Sequence, residues 1–425
     1  MCSAPVLDSR RALALAEGAE KELLALLAAL IAKPSPAGRS AAAAQKVLAT
    51  WLERRGFAVE RFEDDPEALG GHPEFSPPPP AAGRPVNLAA RPAEVPTADT
   101  VLFAHIDTEP AGDGWTTPPH TAVRRGLRLH GLGAADDKGG LAAAAVAAAL
   151  SARHLGRAPV LLSVHGKGGG ARGTLPAFHR LAGEARAALY VHPPETGDGL
   201  AVFKNVSRGV VDLDLRVEGW RGPPREMNTP ESARPEDSGD ALAAGLALIE
   251  DVRRGPLAGA EVRLGRLEAG ESPGLIPLHA TAGIRVLFQG ATTVSDVVTA
   301  FRRAAASFRS SHQALPFASS PRGAFRFSVE PSGLRANPAR TPWDAPFTRG
   351  VRAATARITG REPSEYPHHL ASDIRFPIRL AGIPCVGLGS RAGAFYAANE
   401  WIAPSDLIRL VAVLLLALTR TTRSP

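Results

Sequence analysis

Cysteine is nearly absent: Cys2 and Cys385 stand far apart in a chain of 425 residues. Two distant thiols of different setting exclude a disulfide framework and favour a reducing compartment. No run of basic residues is interleaved with aromatics, so the formal net charge of +7 reads as arginines on a solvated surface, not as a nucleic-acid face. The stretch Leu410 to Leu418 is apolar but falls well short of the roughly 20 residues that a membrane span needs. The N-terminal stretch MCSAPVLDSRRALALAEG contains no apolar core of signal-peptide length. These absences together predict a cytoplasmic protein with neither membrane nor nucleic acid as partner. With 44% hydrophobic and 21% charged residues the composition argues against disorder, and the length predicts two domains.

What the chain does contain is concentrated between Val101 and Leu141, VLFAHIDTEPAGDGWTTPPHTAVRRGLRLHGLGAADDKGGL. The apolar run Val101 to Ala104 predicts a buried strand, and His105 and Asp107 follow two residues apart. Residues i and i+2 of an extended chain project to the same side, so an imidazole and a carboxylate leave the strand end together. The turn Gly131 to Gly140 then leads into an alanine-rich helix, Leu141 to Ala152. A carboxylate at Asp136, just before that helix, faces free backbone N–H groups and is placed to coordinate a cation. His, Asp and Asp converging at strand ends is the vocabulary of a metal site. The plainer alternative is a helix-capping Asp136 beside a buried, hydrogen-bonded His105.

The pattern His-x-Asp, then Trp and Pro, then Gly-x-Gly-Ala-x-Asp-x-Lys-Gly-Gly resembles the co-catalytic zinc peptidases and deacylases. That family includes acetylornithine deacetylase, succinyl-diaminopimelate desuccinylase and carboxypeptidase G-type enzymes. The resemblance implies an α/β fold, a zinc-exopeptidase-like three-layer catalytic domain with an inserted α+β lid or dimerisation domain. It implies that His105 binds the first zinc, that Asp136 bridges two zincs, and that Asp107 orients His105. His192 stands where the family carries an acidic ligand of the first zinc; the alternative is an exposed His beside the Pro193-Pro194 turn. The Glu-Glu pair of the family, general base and second-zinc ligand, aligns with Gly166 and Lys167. The final ligand His aligns with Tyr396, and the lid His with Glu231 before Ser232-Ala233-Arg234-Pro235. His368 and His369 are the nearest spare imidazoles. Arg375, in the Ser-Asp-x-Arg segment, has the fork to grip a substrate carboxylate, or pairs internally with Asp373.

Along the rest of the chain the periodicities predict helices over 17–31 and 41–55, a strand over 57–62, a proline-rich surface loop over 66–85, and strands over 160–164 and 187–191. A change of texture near residue 209 sets the expected domains as 1–208 with 331–425, and 209–330 inserted. Strands over 210–217, 280–288 and 325–329 and helices over 241–252 and 294–305 belong to the insert. With only Asp136 left for a second zinc, the expectation is at most one zinc per chain, held by His105, Asp136 and His192. Asp107, Lys167 and Glu195 are the remaining catalytic candidates: Lys167 to balance the charge of Asp136, Glu195 or His165 to move a proton. Glu231, Arg234 and Arg375 are the substrate-side candidates. The function expected is a degenerate member of this lineage that binds an N-acyl amino acid or small peptide-like ligand in its interdomain cleft, with two-zinc hydrolysis lost. The alternatives are a single-zinc amide hydrolase or altered-chemistry enzyme on the same three residues, and a non-catalytic protein that dimerises or pairs with a partner. A homodimer would form through the lid domain.

Overall fold

The computed structural model describes residues 7–36, 39–63, 65–77, 85–166, 172–181, 183–220, 239–273, 275–311 and 324–420. The chain divides into two compact units, Met1–Ser207 with Ala339–Pro425, and Arg208–Pro338. Among the described residues no helix is long and apolar enough to cross a membrane.

The first unit is built on a six-stranded sheet in the order Phe57–Glu63, Val86–Pro92, Ala158–Val164, Thr97–His105, Ala187–Val191, Cys385–Leu388. The last four strands run parallel to one another, and the first two are antiparallel additions at one edge. Parallel strands are covered on both faces, which is why Ala158–Val164 and Ala187–Val191 are buried along their whole length. One face carries the helices Ser9–Gly18, Glu20–Ile31, Ala42–Glu53, Gly139–Leu155 and Pro404–Arg420 in a single apolar cluster. The other packs Phe103, Phe178, Tyr190 and Phe376 under the short helices Thr174–Arg180 and Arg375–Leu380. The result is three layers.

Small side chains set how close the central helix comes. Gly139–Leu155 is alanine-rich and buried from Gly139 to Ala148, so its backbone lies against the sheet. A Cβ at Gly140 would fall 1.8 Å from the Val191 carbonyl oxygen and 2.3 Å from Asp137 Oδ1. Glycine is required there by contact, and that contact locks the helix start to the end of the strand leading into His192.

The inserted unit is an antiparallel four-stranded sheet in the order Glu261–Ala269, His279–Phe288, Gly209–Glu218, Arg326–Ala336. The helices Ala241–Arg254 and Val294–Ser311 share one apolar cluster with it. Together the two units are the α/β fold with an inserted α+β domain that the resemblance implies.

Several expectations need correction. The helix expected over 17–31 is two helices meeting at Ala19, which caps neither with a side chain. The strand expected to end at 329 runs on to Ala336, so the chain returns to the first unit at Ala339 and not at 331. Two strands of the main sheets carry no readable signal. Val86–Pro92 is a short run after the prolines. Glu261–Ala269 is exposed at almost every position, so it lacks the alternation that marks a half-buried strand.

Candidate metal centre

Parallel pairing, not nearness in sequence, brings the first two side chains together. The register of Thr97–His105 with Ala187–Val191 sets Phe103 opposite Tyr190. Two residues further along each chain stand His105 and His192, both buried, with ring centroids 5.5 Å apart. His192 is thus not an exposed residue of a proline turn.

The carboxylate arrives on the turn before helix Gly139–Leu155. Gly133 takes φ +81°, a conformation suited to glycine. The turn is gripped by Glu400, whose carboxylate accepts from the backbone N–H groups of Gly133 at 2.9 Å, Ala135 at 2.6 Å and Asp136 at 2.9 Å. Glu400 is delivered by the short strand Trp401–Ile402, paired with Arg128–His130. Burial pushes Glu400 from the ordinary 4.5 up to about 7, although the three N–H donors pull the other way.

One oxygen, Asp136 Oδ1, lies 2.8 Å from His105 Nε2 and 2.7 Å from His192 Nε2. The second nitrogen of each ring faces a carbonyl: His105 Nδ1 is 2.9 Å from Asp107 O, and His192 Nδ1 is 2.7 Å from Pro193 O. Where Nδ1–H donates to those carbonyls, each Nε2 turns a lone pair toward an anionic oxygen. Lone pairs converging in this way call for a cation among them. His105, Asp137 and His192 each offer a ligand atom within 4.8 Å of the others, so a second carboxylate stands beside Asp136. Imidazoles and carboxylates at this spacing suit zinc. The chemistry of the donor set fits a metal ion of that kind.

Behind His192 sits a charged cluster. Lys204, fully buried, places Nζ 2.6 Å from His192 Nδ1 and 3.2 Å from Glu195 Oε1. It is fixed there by a backbone bridge to Gly387 in the neighbouring strand. Glu195 Oε2 is 2.8 Å from His369 Nδ1. Burial would raise Glu195, but Lys204, His369 and His192 outweigh it and hold the carboxyl well below the usual carboxylate range. Glu195 is therefore an ionised partner of Lys204 and His369, unsuited to act as a proton donor near neutral pH.

Asp107 does not orient His105 through its carboxylate, which is 3.8 Å from Nδ1; its backbone carbonyl does so, while Oδ1 accepts from Gly166 N–H at 3.1 Å. His165 is buried, its Nδ1 accepts from Val86 N–H at 3.1 Å, and burial lowers its pKa. Arg375 is only 1% exposed, donates to the Ala371 carbonyl and lies near Glu74 and Asp373. It takes the internal alternative and offers no fork to a ligand from solvent. Tyr396 is 56% exposed. Lys167, Glu231 and Arg234 lie outside the described residues.

No role for Asp137, Lys204 or Glu400 is legible in the sequence alone. Asp137 stands next to the residue that fills the motif position. The only trace of Lys204 is a lone cation at the end of the apolar run Leu200 to Phe203. Glu400 stands in the pattern that follows Tyr396, but its role shows only in the pairing that carries it to the turn.

A parallel sheet with a His/Asp cluster at its strand ends that could hold a metal ion, plus an inserted α+β unit, defines the class as an α/β fold of metallopeptidase type. The chain belongs to Peptidase family M20/M25/M40, whose pattern it matches over residues 101–420. It is 27% identical over 386 residues to succinyl-diaminopimelate desuccinylase of Rhizorhabdus wittichii, covering 89% of this chain and 92% of that one. The desuccinylase of Methylobacterium nodulans is 29% identical over 408 residues, covering 92% and 93%. Among solved structures, aminopeptidase PepT from Bacillus cereus superposes with a TM-score of 0.70 at 18% identity, covering 95% of this chain and 99% of that one. An M20 family metallo-carboxypeptidase from Sulfolobus solfataricus gives 0.66 at 13% identity, covering 94% and 99%. At such identities the structural likeness concerns the fold.

Proposed function

We propose that this chain binds an N-acyl amino acid or small peptide-like ligand at a single-metal centre, and that two-metal amide hydrolysis is lost. The convergence of His105 Nε2, His192 Nε2 and Asp136 Oδ1 supports the metal centre, and the likeness to succinyl-diaminopimelate desuccinylases supports the ligand class. The second half rests on Gly166 and Lys167 in place of the carboxylate pair and on Tyr396 in place of the last ligand. His105, Asp136 and His192 hold the ion, with Asp137 beside them. Zinc so held supplies Lewis-acid polarisation of a ligand carbonyl. Asp107 and Pro193 fix the rings through their carbonyls, and Glu400 fixes the turn that bears Asp136. No carboxylate at position 166 can take a proton from water, and loss of a general base costs about 10²–10⁴-fold in rate.

The experiment is calorimetric titration of zinc-loaded protein with N-succinyl and N-acetyl amino acids and dipeptides, with product release followed in parallel. Saturable binding with turnover absent or very slow is the expected result. Rapid zinc-dependent turnover would instead make this a single-metal hydrolase and overturn the loss of hydrolysis.

The same proposal assigns homodimerisation to the inserted unit. Among the described residues, Glu261–Ala269 stands at the edge of its sheet and leaves Leu264 and Leu267 each 43% exposed between charged side chains, and an open edge can pair with a second copy. Light scattering is expected to give twice the chain mass, and Leu264→Lys with Leu267→Lys the single mass. A monomeric parent would remove this assignment.

A further inference from the structure

We infer that Lys204 is a positioning residue that competes with a divalent cation for His192, so that the centre has two internal states. This rests on the single-metal reading above. His192 Nδ1 has two neighbours that it cannot serve together: a donor, Lys204 Nζ at 2.6 Å, and an acceptor, the Pro193 carbonyl at 2.7 Å. A neutral imidazole has one N–H and one lone pair in its plane. If Lys204 donates to Nδ1, the N–H is on Nε2 and points at Asp136 Oδ1, 2.7 Å away. In that state His192 has nothing to give a metal, and a buried ammonium close behind the ring supplies the positive charge that Asp136 needs. If Nδ1–H donates to Pro193, Nε2 turns its lone pair to the centre, and Lys204 turns to an acidic partner.

That partner is in place. Glu195 Oε1 is 3.2 Å from Nζ, and Glu195 is itself anchored by His369 at 2.8 Å. The face of Tyr190 lies on a further side, with its ring centroid 5.7 Å from Nζ. Lys204 therefore keeps a counter-ion whichever way it points. The bridge of its backbone to Gly387 keeps the stem beside His192 in both states. A cation arriving at the centre meets a competitor built into the fold, and its affinity is the difference between two occupied arrangements.

The test is zinc alone, titrated against the full chain and against Lys204→Met by competition with a chelating indicator, with circular dichroism to confirm folding. Removal of the competing charge and donor is expected to tighten zinc binding by at least about tenfold. Equal affinity for zinc in the two proteins would overturn the inference and leave the single-metal reading standing. No zinc on either would overturn both. Should Lys204→Met fail to fold, a crystal structure of the parent chain with zinc decides. The expected arrangement has Nζ beyond hydrogen-bond reach of Nδ1, more than about 3.5 Å away, with Nδ1 directed at the Pro193 carbonyl. Nζ still bonded to Nδ1 with zinc on Nε2 would overturn the inference.

Discussion

His105→Ala is expected to take the chain from about one bound zinc to none, because three-ligand zinc sites depend on each ligand. The variant retains His192 and Asp136 with Asp137 beside them, a set reduced to one imidazole and two carboxylates of the same turn. Even partners outside the coordination shell are worth about 10–100-fold in metal affinity, so the loss of a ligating nitrogen is expected to exceed about 100-fold. The measurement is elemental analysis after equilibration with zinc and gel filtration. His369→Ala is the matching control: its Nδ1 serves Glu195, and its ring centroid lies 6.4 Å from that of His192. That variant is expected to keep its zinc. Zinc retained by His105→Ala, or lost from His369→Ala with the fold intact, would place the ion elsewhere.

The half of this centre that could be read in advance is the half carried by local geometry. His105 leaves a strand, Asp136 precedes a helix, and both positions follow from period, turn residues and the spacing of one continuous stretch. His192 was legible only through resemblance, since what joins it to His105 is the strand register, a long-range fact. Arg375 shows the limit of reading a residue type as a role. A guanidinium suits a ligand carboxylate, and equally suits Glu74 and the Ala371 carbonyl, and sequence does not say which is nearer. Lys204 lies further beyond reach, because a buried lysine makes sense only when Glu195 and His192 are seen around it. The same reasoning covers the fold. Strands with one buried face were legible in the inserted unit, whereas Glu261–Ala269, exposed along its length, was not.

Glu400→Ala is expected to cost about 3–5 kcal/mol of stability, since it strands three N–H groups that a single buried carboxylate now satisfies, each loss being worth about 1–3 kcal/mol before relaxation. The same change frees the turn that holds Asp136, so zinc affinity should fall with it. Glu400→Gln isolates the charge. The carboxyl has an ordinary pKa of 4.5 and reaches about 7 in the folded chain. Between those values the folded chain holds a proton that the unfolded chain has released. The contribution of Glu400 to stability is therefore fully present below pH 4.5 and is lost as pH rises through 7. In total it amounts to about 3 kcal/mol. Glutamine cannot ionise, so the stability of the parent relative to Glu400→Gln is expected to decline from pH 5 to pH 8. Urea unfolding at four pH values in that interval measures it, with chelator present because a cation at Asp136 would favour the ionised carboxylate. Parallel curves for the two proteins would show that the three backbone donors keep Glu400 ionised despite its burial. The turn would then be held by an anion at every pH of the series, and the loss caused by Glu400→Ala would be independent of pH.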